Sequence, residues 1–128
     1  MSASRGLLVH VVDDDDSVRT GFARLLRSAG IDVRAYPSAD RFLDAVDSVA
    51  PGCVLLDITM PGISSPGTLE RLKGKRDLLP VIVVSARDNE AVHRLTQEVG
   101  AKMFLRKPVD DQALLDAIAW VTKSQADA

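Results

Sequence analysis

The chain has 128 residues, of which 46% are hydrophobic and 27% are charged, and its net charge is −2. This composition is typical of a single globular domain over residues 1–128 and excludes a disordered chain. Lys and Arg are scattered, so we expect no nucleic acid partner for this chain itself. No apolar run approaches the roughly 20 residues of a membrane span, and no signal peptide is evident. We therefore expect a cytoplasmic protein without membrane contact.

Five short apolar runs alternate with five segments of helical periodicity, which predicts five strands and five helices. The predicted strands cover residues 7–12, 31–36, 53–57, 81–84 and 103–105. His10 interrupts the first run, and it has no Cys or His at ligand spacing, so we expect no metal there. The lone cysteine, Cys53, excludes an internal disulfide and is expected in the core. We expect His93 on the outer face of helix 4 and Trp120 as a partly buried packing residue.

Short polar residues and glycines mark where the helices begin and end. The predicted N-caps are Ser38, Asp88 and Asp110, and the predicted C-terminal stops are Gly30 and Gly100. Asp15 and Asp16 are expected to be solvated acids or caps of helix 1, without a role in metal binding.

Alternating strands and helices predict an α/β fold with a doubly wound, five-stranded parallel sheet. Right-handed crossovers leave few topologies, and the strand order 2-1-3-4-5 is the common one for this count. Its switch point lies between strands 1 and 3. Because Asp13 and Asp14 follow strand 1 and Asp57 ends strand 3, we expect the three carboxylates in one crevice.

Two further polar residues, Ser85 and Lys107, lie at the ends of strands 4 and 5. Clustered carboxylates repel one another unless a cation relieves them. A few hard oxygen ligands with room for water suit Mg²⁺. A metal ion, a lysine and a hydroxyl around one carboxylate are suited to phosphoryl transfer, in which the carboxylate is the nucleophile.

These residues stand in motifs that resemble the receiver domains of bacterial two-component response regulators. The motifs are Val11-Val12-Asp13-Asp14, Asp57-Ile58-Thr59-Met60-Pro61-Gly62, Ser85-Ala86 and Phe104-Leu105-Arg106-Lys107-Pro108. The resemblance covers about residues 7–121 and implies the flavodoxin-like (βα)5 receiver fold. The spacings of 28 residues from Asp57 to Ser85 and 22 from there to Lys107 are similar to those of the nitrogen-fixation-regulator subfamily.

The resemblance implies a metal-dependent phosphoacceptor at the end of strand 3. Asp57 would accept the phosphoryl group. Asp14, Asp57 and the backbone carbonyl of Thr59 would bind Mg²⁺, and Asp13 would assist through a water molecule.

The resemblance also implies a switch around the phosphoryl group. Ser85 and Lys107 would each bind one of its oxygens. Phe104 would move inward when the Ser85 hydroxyl moves toward the phosphoryl group. The peptide bond between Lys107 and Pro108 would be cis, as is usual in the family.

One loop departs from the family pattern. Most members have a glycine shortly before the third helix, where this chain has Ser65 followed by Pro66. Proline disfavours helical geometry at Ser65, although Pro66 suits the first position of a helix. The family pattern therefore does not define the path of this loop or the start of helix 3, whereas the acidic site is unaffected.

The function implied by the resemblance is a phosphorylatable switch, without an independent enzymatic substrate. A sensor histidine kinase would donate the phosphoryl group, and the face formed by helix 4, strand 5 and helix 5 would engage a partner, an output domain or a second copy of the chain. Two alternatives stay open. Asp13-x-Asp15 superficially resembles the nucleophile motif of haloacid dehalogenase phosphatases, and a degenerate receiver would act only as a binding module. Whether an output domain is attached also stays open.

Overall fold

The computed structural model describes residues 6–46, 50–75 and 77–126. The strands are β1 (Leu8–Val12), β2 (Asp32–Tyr36), β3 (Gly52–Asp57), β4 (Val81–Ser85) and β5 (Met103–Arg106). The helices are α1 (Asp16–Ser28), α2 (Ala39–Ala45), α3 (Pro66–Lys75), α4 (Glu90–Glu98) and α5 (Asp111–Ala126). All five predicted strands are present, and each of their ends lies within one residue of the predicted position.

The strands form one parallel sheet in the order β2-β1-β3-β4-β5, which confirms the predicted topology. In the register of β1 against β3, Val12 lies beside Leu56. The residues that follow them, Asp13 and Asp57, therefore emerge at the same edge of the sheet. On the other side of β3, Asp57 lies beside Val84, which directly precedes Ser85.

The sheet has a hydrophobic layer on each face. One layer packs β-strand side chains such as Leu56 against α2, α3 and α4, and the other packs side chains such as Leu55 against α1 and α5. Every residue of β3 is buried. Burial of a leucine side chain contributes about 1.5–3 kcal/mol, so these two layers hold β3 and its terminal Asp57 in place.

Most of the predicted helix caps are present. Ser38 accepts a hydrogen bond from the backbone N–H of Arg41, and Asp110 accepts one from the N–H of Ala113. Asp15 caps α1 through the N–H groups of Ser17 and Val18, which confirms its predicted capping role.

The cap of α4 was predicted wrongly. Asn89, not Asp88, is the N-cap, and its side-chain oxygen accepts a hydrogen bond from the N–H of Val92 at 2.9 Å. The Asp88 carboxylate instead pairs with the His93 side chain. A helix has one N-cap position, and only the side chain at that position reaches the N–H groups of the first turn.

Trp120 is the second correction. The prediction placed it as a partly buried packing residue, but it is 64% exposed on α5. Residues 117, 118 and 121 of α5 face the core, and Trp120 lies outside the face that they form. Cys53 is buried as predicted, and burial raises the pKa of its thiol to about 12.

The loop with Ser65 and Pro66 follows a tight path. The N–H of Ser65 donates to the carbonyl of Gly62 at 3.1 Å, and α3 begins at Pro66 as predicted. The carbonyl of Ser65 accepts the first intrahelical bond from the N–H of Leu69. Proline at this first position sacrifices no helical hydrogen bond, so the departure is accommodated locally.

Candidate functional site

Three carboxylates meet at the carboxyl ends of β1 and β3. Asp13, Asp14 and Asp57 each place an oxygen within 4.8 Å of the others. Asp13 and Asp57 are only 2% and 4% exposed, whereas Asp14 is exposed. The structure therefore brings together the two acidic features that the topology predicted, in a crevice that opens toward solvent at Asp14.

Lys107 reaches into this crevice from the end of β5. Its Nζ lies 2.7 Å from Asp13 Oδ2 and 3.4 Å from Asp57 Oδ2. Burial opposes the ammonium charge, but the hydrogen bond that Lys107 donates to Asp13 and the charges of both carboxylates outweigh it and raise the pKa of Lys107. The lysine therefore stays charged through the neutral pH range and relieves the repulsion between the buried carboxylates.

Asp57 is held by the residue two positions after it. Its Oδ1 accepts hydrogen bonds from the backbone N–H of Thr59 at 2.9 Å and from the Thr59 hydroxyl at 2.7 Å. With Oδ1 engaged in this way, Oδ2 faces Lys107. The sequence-based prediction named only the carbonyl of Thr59, and the contact of its side chain with Asp57 was missed.

Asp13 is fixed through both its side chain and its backbone. Its Oδ1 accepts from the N–H of Asp15 at 2.9 Å, and its carbonyl accepts from Nη1 of Arg19 at 2.5 Å. Arg19 also pairs with the Asp16 carboxylate. Sequence reasoning missed Arg19, although its position three residues after Asp16 on one helix is the spacing at which opposite charges meet.

Ser85 and Phe104 lie near the crevice. The hydrogen bonds of the Ser85 hydroxyl go to Arg87 and not to the carboxylates. The Ser85 hydroxyl donates to the carbonyl of Arg87 at 2.8 Å and accepts from the N–H of Arg87 at 3.0 Å. Phe104 is partly buried on β5, beside Val83 of β4. The peptide bond before Pro108 is cis, as predicted.

The donor set fits a hard divalent cation. The three carboxylates supply oxygen ligands only, and the exposure of Asp14 leaves room for water molecules. Mg²⁺ prefers this combination of few carboxylates and retained water, whereas zinc sites use His and Cys. Neither histidine belongs to this cluster, because His10 contacts Tyr36 and His93 contacts Asp88.

Comparison with protein families identifies the chain. The model described as "Response regulator receiver domain" matches residues 9–119. The chain belongs to this family. It is a signalling domain of two-component systems, as the motifs predicted.

Curated relatives of this receiver domain include transcriptional regulatory proteins. It is 40% identical over 112 residues to the transcriptional regulatory protein FixJ of Azorhizobium caulinodans, a match that covers 88% of this chain and 53% of FixJ. It is 41% identical over 110 residues to the transcriptional regulatory protein TdiR of Thauera aromatica, covering 86% of this chain and 48% of TdiR. The predicted similarity to the nitrogen-fixation subfamily is confirmed. This chain spans about half the length of these relatives.

Solved structures show the same fold. A response regulator receiver protein from Burkholderia phymatum is 40% identical, with a TM-score of 0.76 over 91% of this chain and 95% of that one. Full-length FixJ from B. japonicum is 32% identical, with a TM-score of 0.79 over 96% of this chain and 60% of FixJ. In the part of the receiver domain that the structure describes, none of the helices is both long and apolar enough to cross a membrane.

Proposed function

We propose that this receiver domain is a phosphorylatable switch and that Asp57 is its phosphoacceptor. The observation that carries the proposal is that Asp57, Asp13, Asp14 and Lys107 meet in one crevice. A nucleophilic carboxylate beside a fixed cation and further oxygen ligands is the arrangement that phosphoryl transfer requires. Membership of the response regulator family supports the same function.

The proposed reaction begins with Oδ2 of Asp57, the oxygen that faces Lys107. Thr59 holds Oδ1, so Oδ2 attacks the phosphorus atom of the donor. A bond forms between Oδ2 and phosphorus, and the bond between phosphorus and the leaving group breaks. For a phosphohistidine donor the electron pair of that bond returns to the imidazole nitrogen. The product is an aspartyl phosphate, and the charged Lys107 ammonium lies where it can bind one of the phosphoryl oxygens.

The same residues would hold Mg²⁺. Asp14, Asp57 and the backbone carbonyl of Thr59 are the proposed direct ligands, and Asp13 would contribute through a water molecule. When bound, the ion supplies positive charge that balances the adduct, which adds about −1.5 to −2. The hydrogen bond from Lys107 to Asp13, at 2.7 Å, holds both side chains in the crevice.

The partner that donates the phosphoryl group is proposed to be a sensor histidine kinase. Phosphorylation would draw the Ser85 hydroxyl toward the new phosphoryl oxygens and allow Phe104 to move inward. These changes would alter the output face, defined here as α4, β5 and α5, which would engage a partner protein, an attached output domain or a second copy of the chain. We propose no nucleic acid contact by this chain itself.

Phosphodonor labelling tests the proposal. Incubation with radiolabelled acetyl phosphate or phosphoramidate and Mg²⁺ should label the wild-type chain, and the Asp57→Asn variant should lose the label. Asp15→Asn is the matched control, because Asp15 lies in the same acidic loop but only caps α1. EDTA should abolish labelling of both the wild type and this control. Undiminished label on Asp57→Asn would refute the assignment.

The two alternative functions give different labelling results. A phosphatase of the haloacid dehalogenase class would lose label in Asp13→Asn and retain it in Asp57→Asn. Burial and hydrogen bonding do not separate the two candidates, because Asp13 and Asp57 are both buried and both have each carboxylate oxygen engaged. The labelling result therefore decides between them. A binding module without phosphorylation would show no Mg²⁺-dependent label in any variant.

A further inference from the structure

Four side chains join the loop after β4 to the two elements beside it. Asp88 lies in this loop, and its Oδ1 is hydrogen-bonded to Nε2 of His93 on α4. Its Oδ2 lies 3.9 Å from Nη1 of Arg106 on β5. The His93 ring packs against the Phe104 ring, with centroids 5.0 Å apart and an angle of 40° between the planes. We call these four residues the Asp88 cluster. It lies outside the acidic crevice, and three of its members, His93, Phe104 and Arg106, belong to the output face.

Asp88 directly follows Arg87, the residue whose backbone is hydrogen-bonded to Ser85. The Ser85 hydroxyl donates its only proton to the carbonyl of Arg87, so it has none left for a phosphoryl oxygen. It must therefore release Arg87 before it can donate to a phosphoryl group on Asp57. That release changes the backbone contacts of Arg87. The next residue, Asp88, is hydrogen-bonded to His93 on α4, so this bond restrains the loop.

We propose that Asp88 and His93 are positioning residues that hold the Ser85 loop and the Phe104 ring in the unphosphorylated arrangement. The inference rests on the proposed function and deepens it, because it names a contact that opposes the switch. His93 restrains both moving parts at once, since its Nε2 binds the loop and its ring covers Phe104. Neither Asp88 nor His93 is among the residues proposed to bind the phosphoryl group.

The strength of the pair suits a switch. The side chains of His93 and Asp88 are 51% and 40% exposed, so water screens their interaction. A pair this exposed biases an equilibrium by roughly two- to fivefold. Phosphorylation can overcome such a bias, and loss of the pair should therefore favour the phosphorylated arrangement without abolishing regulation.

Titration with beryllofluoride, a phosphoryl mimic, tests the inference in the whole chain with Mg²⁺. The dissociation constant is read from the amide resonance of Ser85. His93→Phe keeps a ring against Phe104 but removes the bond to Asp88, and Asp88→Asn removes the charge with little change in shape. Each variant should bind beryllofluoride two- to fivefold more tightly than the wild type. The double variant should gain less affinity than the sum of the two single changes, because both changes act on the contact between Asp88 and His93.

Glu90→Gln is the matched control. Glu90 is the first residue of α4 and pairs with Arg94 at 3.5 Å on the same helix, outside the Asp88 cluster, so this variant should bind with wild-type affinity. Unchanged or weaker binding by His93→Phe overturns the inference, as does an additive double variant. A loss of unfolding free energy without a change in affinity would show a structural role only and also overturns it. If the variants match a wild type that binds, the proposed function stands; if the wild type fails to bind, both proposals fall.

Discussion

At the residue scale, Lys107 is the cation held between two buried carboxylates. Its raised pKa means that its stabilising charge is fully present below the ordinary value of 10.5 and is lost only as the pH rises through the higher folded-state value. Replacement by Met should lower the free energy of unfolding by about 2–3 kcal/mol in EDTA. This is below the roughly 3–5 kcal/mol of a fully enclosed pair, because Asp14 leaves the crevice open.

Urea unfolding with and without Mg²⁺ measures this effect. Millimolar Mg²⁺ should restore part of the lost stability in Lys107→Met, because a bound cation replaces the missing ammonium group. Lys73→Met is the control: Lys73 pairs with Glu70 at 3.5 Å on the surface of α3, and such a pair contributes about 0–1 kcal/mol. Equal stability of Lys107→Met and Lys73→Met in EDTA would contradict the role assigned to the crevice lysine.

A second residue-scale prediction concerns His10, which is buried beneath α2. Its Nδ1 lies 3.0 Å from the Tyr36 hydroxyl, and its ring packs edge-on against Phe42. Burial, assisted by the nearby charge of Arg34, lowers the pKa of His10 from 6.5 to about 4. The unfolded chain therefore binds more protons than the folded chain between these two values, and stability must fall as the pH is lowered through this window.

The expected loss is at most about 1.4 kcal/mol per pH unit in the steepest part of the window. Urea unfolding at several pH values between 7 and 4.5 measures it. His10→Gln, which has no titrating ring, should be less stable than the wild type at pH 7 but should lose less stability on acidification. Parallel acid profiles for the two proteins would show that another group causes the acid sensitivity.

At the element scale, the start of β3 depends on a glycine. A Cβ atom built on Gly52 would lie 1.8 Å from the carbonyl oxygen of Leu8 on β1, a distance at which backbone must move. Gly52→Ala should therefore cost at least about 2 kcal/mol of unfolding free energy, because it separates the two strands that carry Asp13 and Asp57. Denaturant unfolding provides the measurement.

Gly67→Ala tests whether the cost is specific to Gly52. Gly67 lies in α3, and an added Cβ there would have no atom within 4 Å. In a helix, alanine is favoured over glycine by about 0.5–1 kcal/mol, so this variant should be more stable than the wild type. A Gly52→Ala variant as stable as the wild type would mean that β1 and β3 separate easily at this end.

The strands and helices were predictable because the sequence pattern of each segment agrees with its burial in the folded chain. Apolar runs end abruptly at Asp13 and Arg106, and Pro37 stops the alternating second strand, so these strand ends could be assigned to within a residue. The cap of α4 was not predictable in this way. Asp88 and Asn89 are both good capping residues, and the choice depends on Asp88 pairing with His93, which side-chain conformations decide.

At the scale of the whole molecule, the alternation of strands and helices, right-handed crossovers and the commonest order for five strands together predicted the sheet order and the meeting of Asp13 with Asp57. The contacts of Thr59, Arg19 and Ser85 could not be read in the same way. Each depends on the direction of one side chain toward a backbone group or a carboxylate. Periodicity and motif spacing specify the position of a residue on an element, but they do not specify that direction.

The exposed Trp120 provides a test of the proposed homodimer at this scale. It is the only tryptophan of the chain, it lies on α5 of the output face, and it is 64% exposed. Large exposed aromatic side chains frequently dominate the affinity of an interface. Beryllofluoride with Mg²⁺ should convert the monomer to a dimer in sedimentation equilibrium, and quenching of Trp120 fluorescence by acrylamide should fall at the same protein concentrations.

Trp120→Ala should weaken this dimer about tenfold or more, because truncation of a buried aromatic anchor typically costs at least 1–2 kcal/mol. Leu78→Ala is the control, since Leu78 is the other large exposed hydrophobic side chain among the described residues, at 47%, and it lies between α3 and β4, outside the output face. It should dimerise as the wild type does. If Trp120→Ala dimerises with unchanged affinity, the interface does not include this part of α5. If the wild type remains a monomer with beryllofluoride bound, the proposed homodimer is refuted.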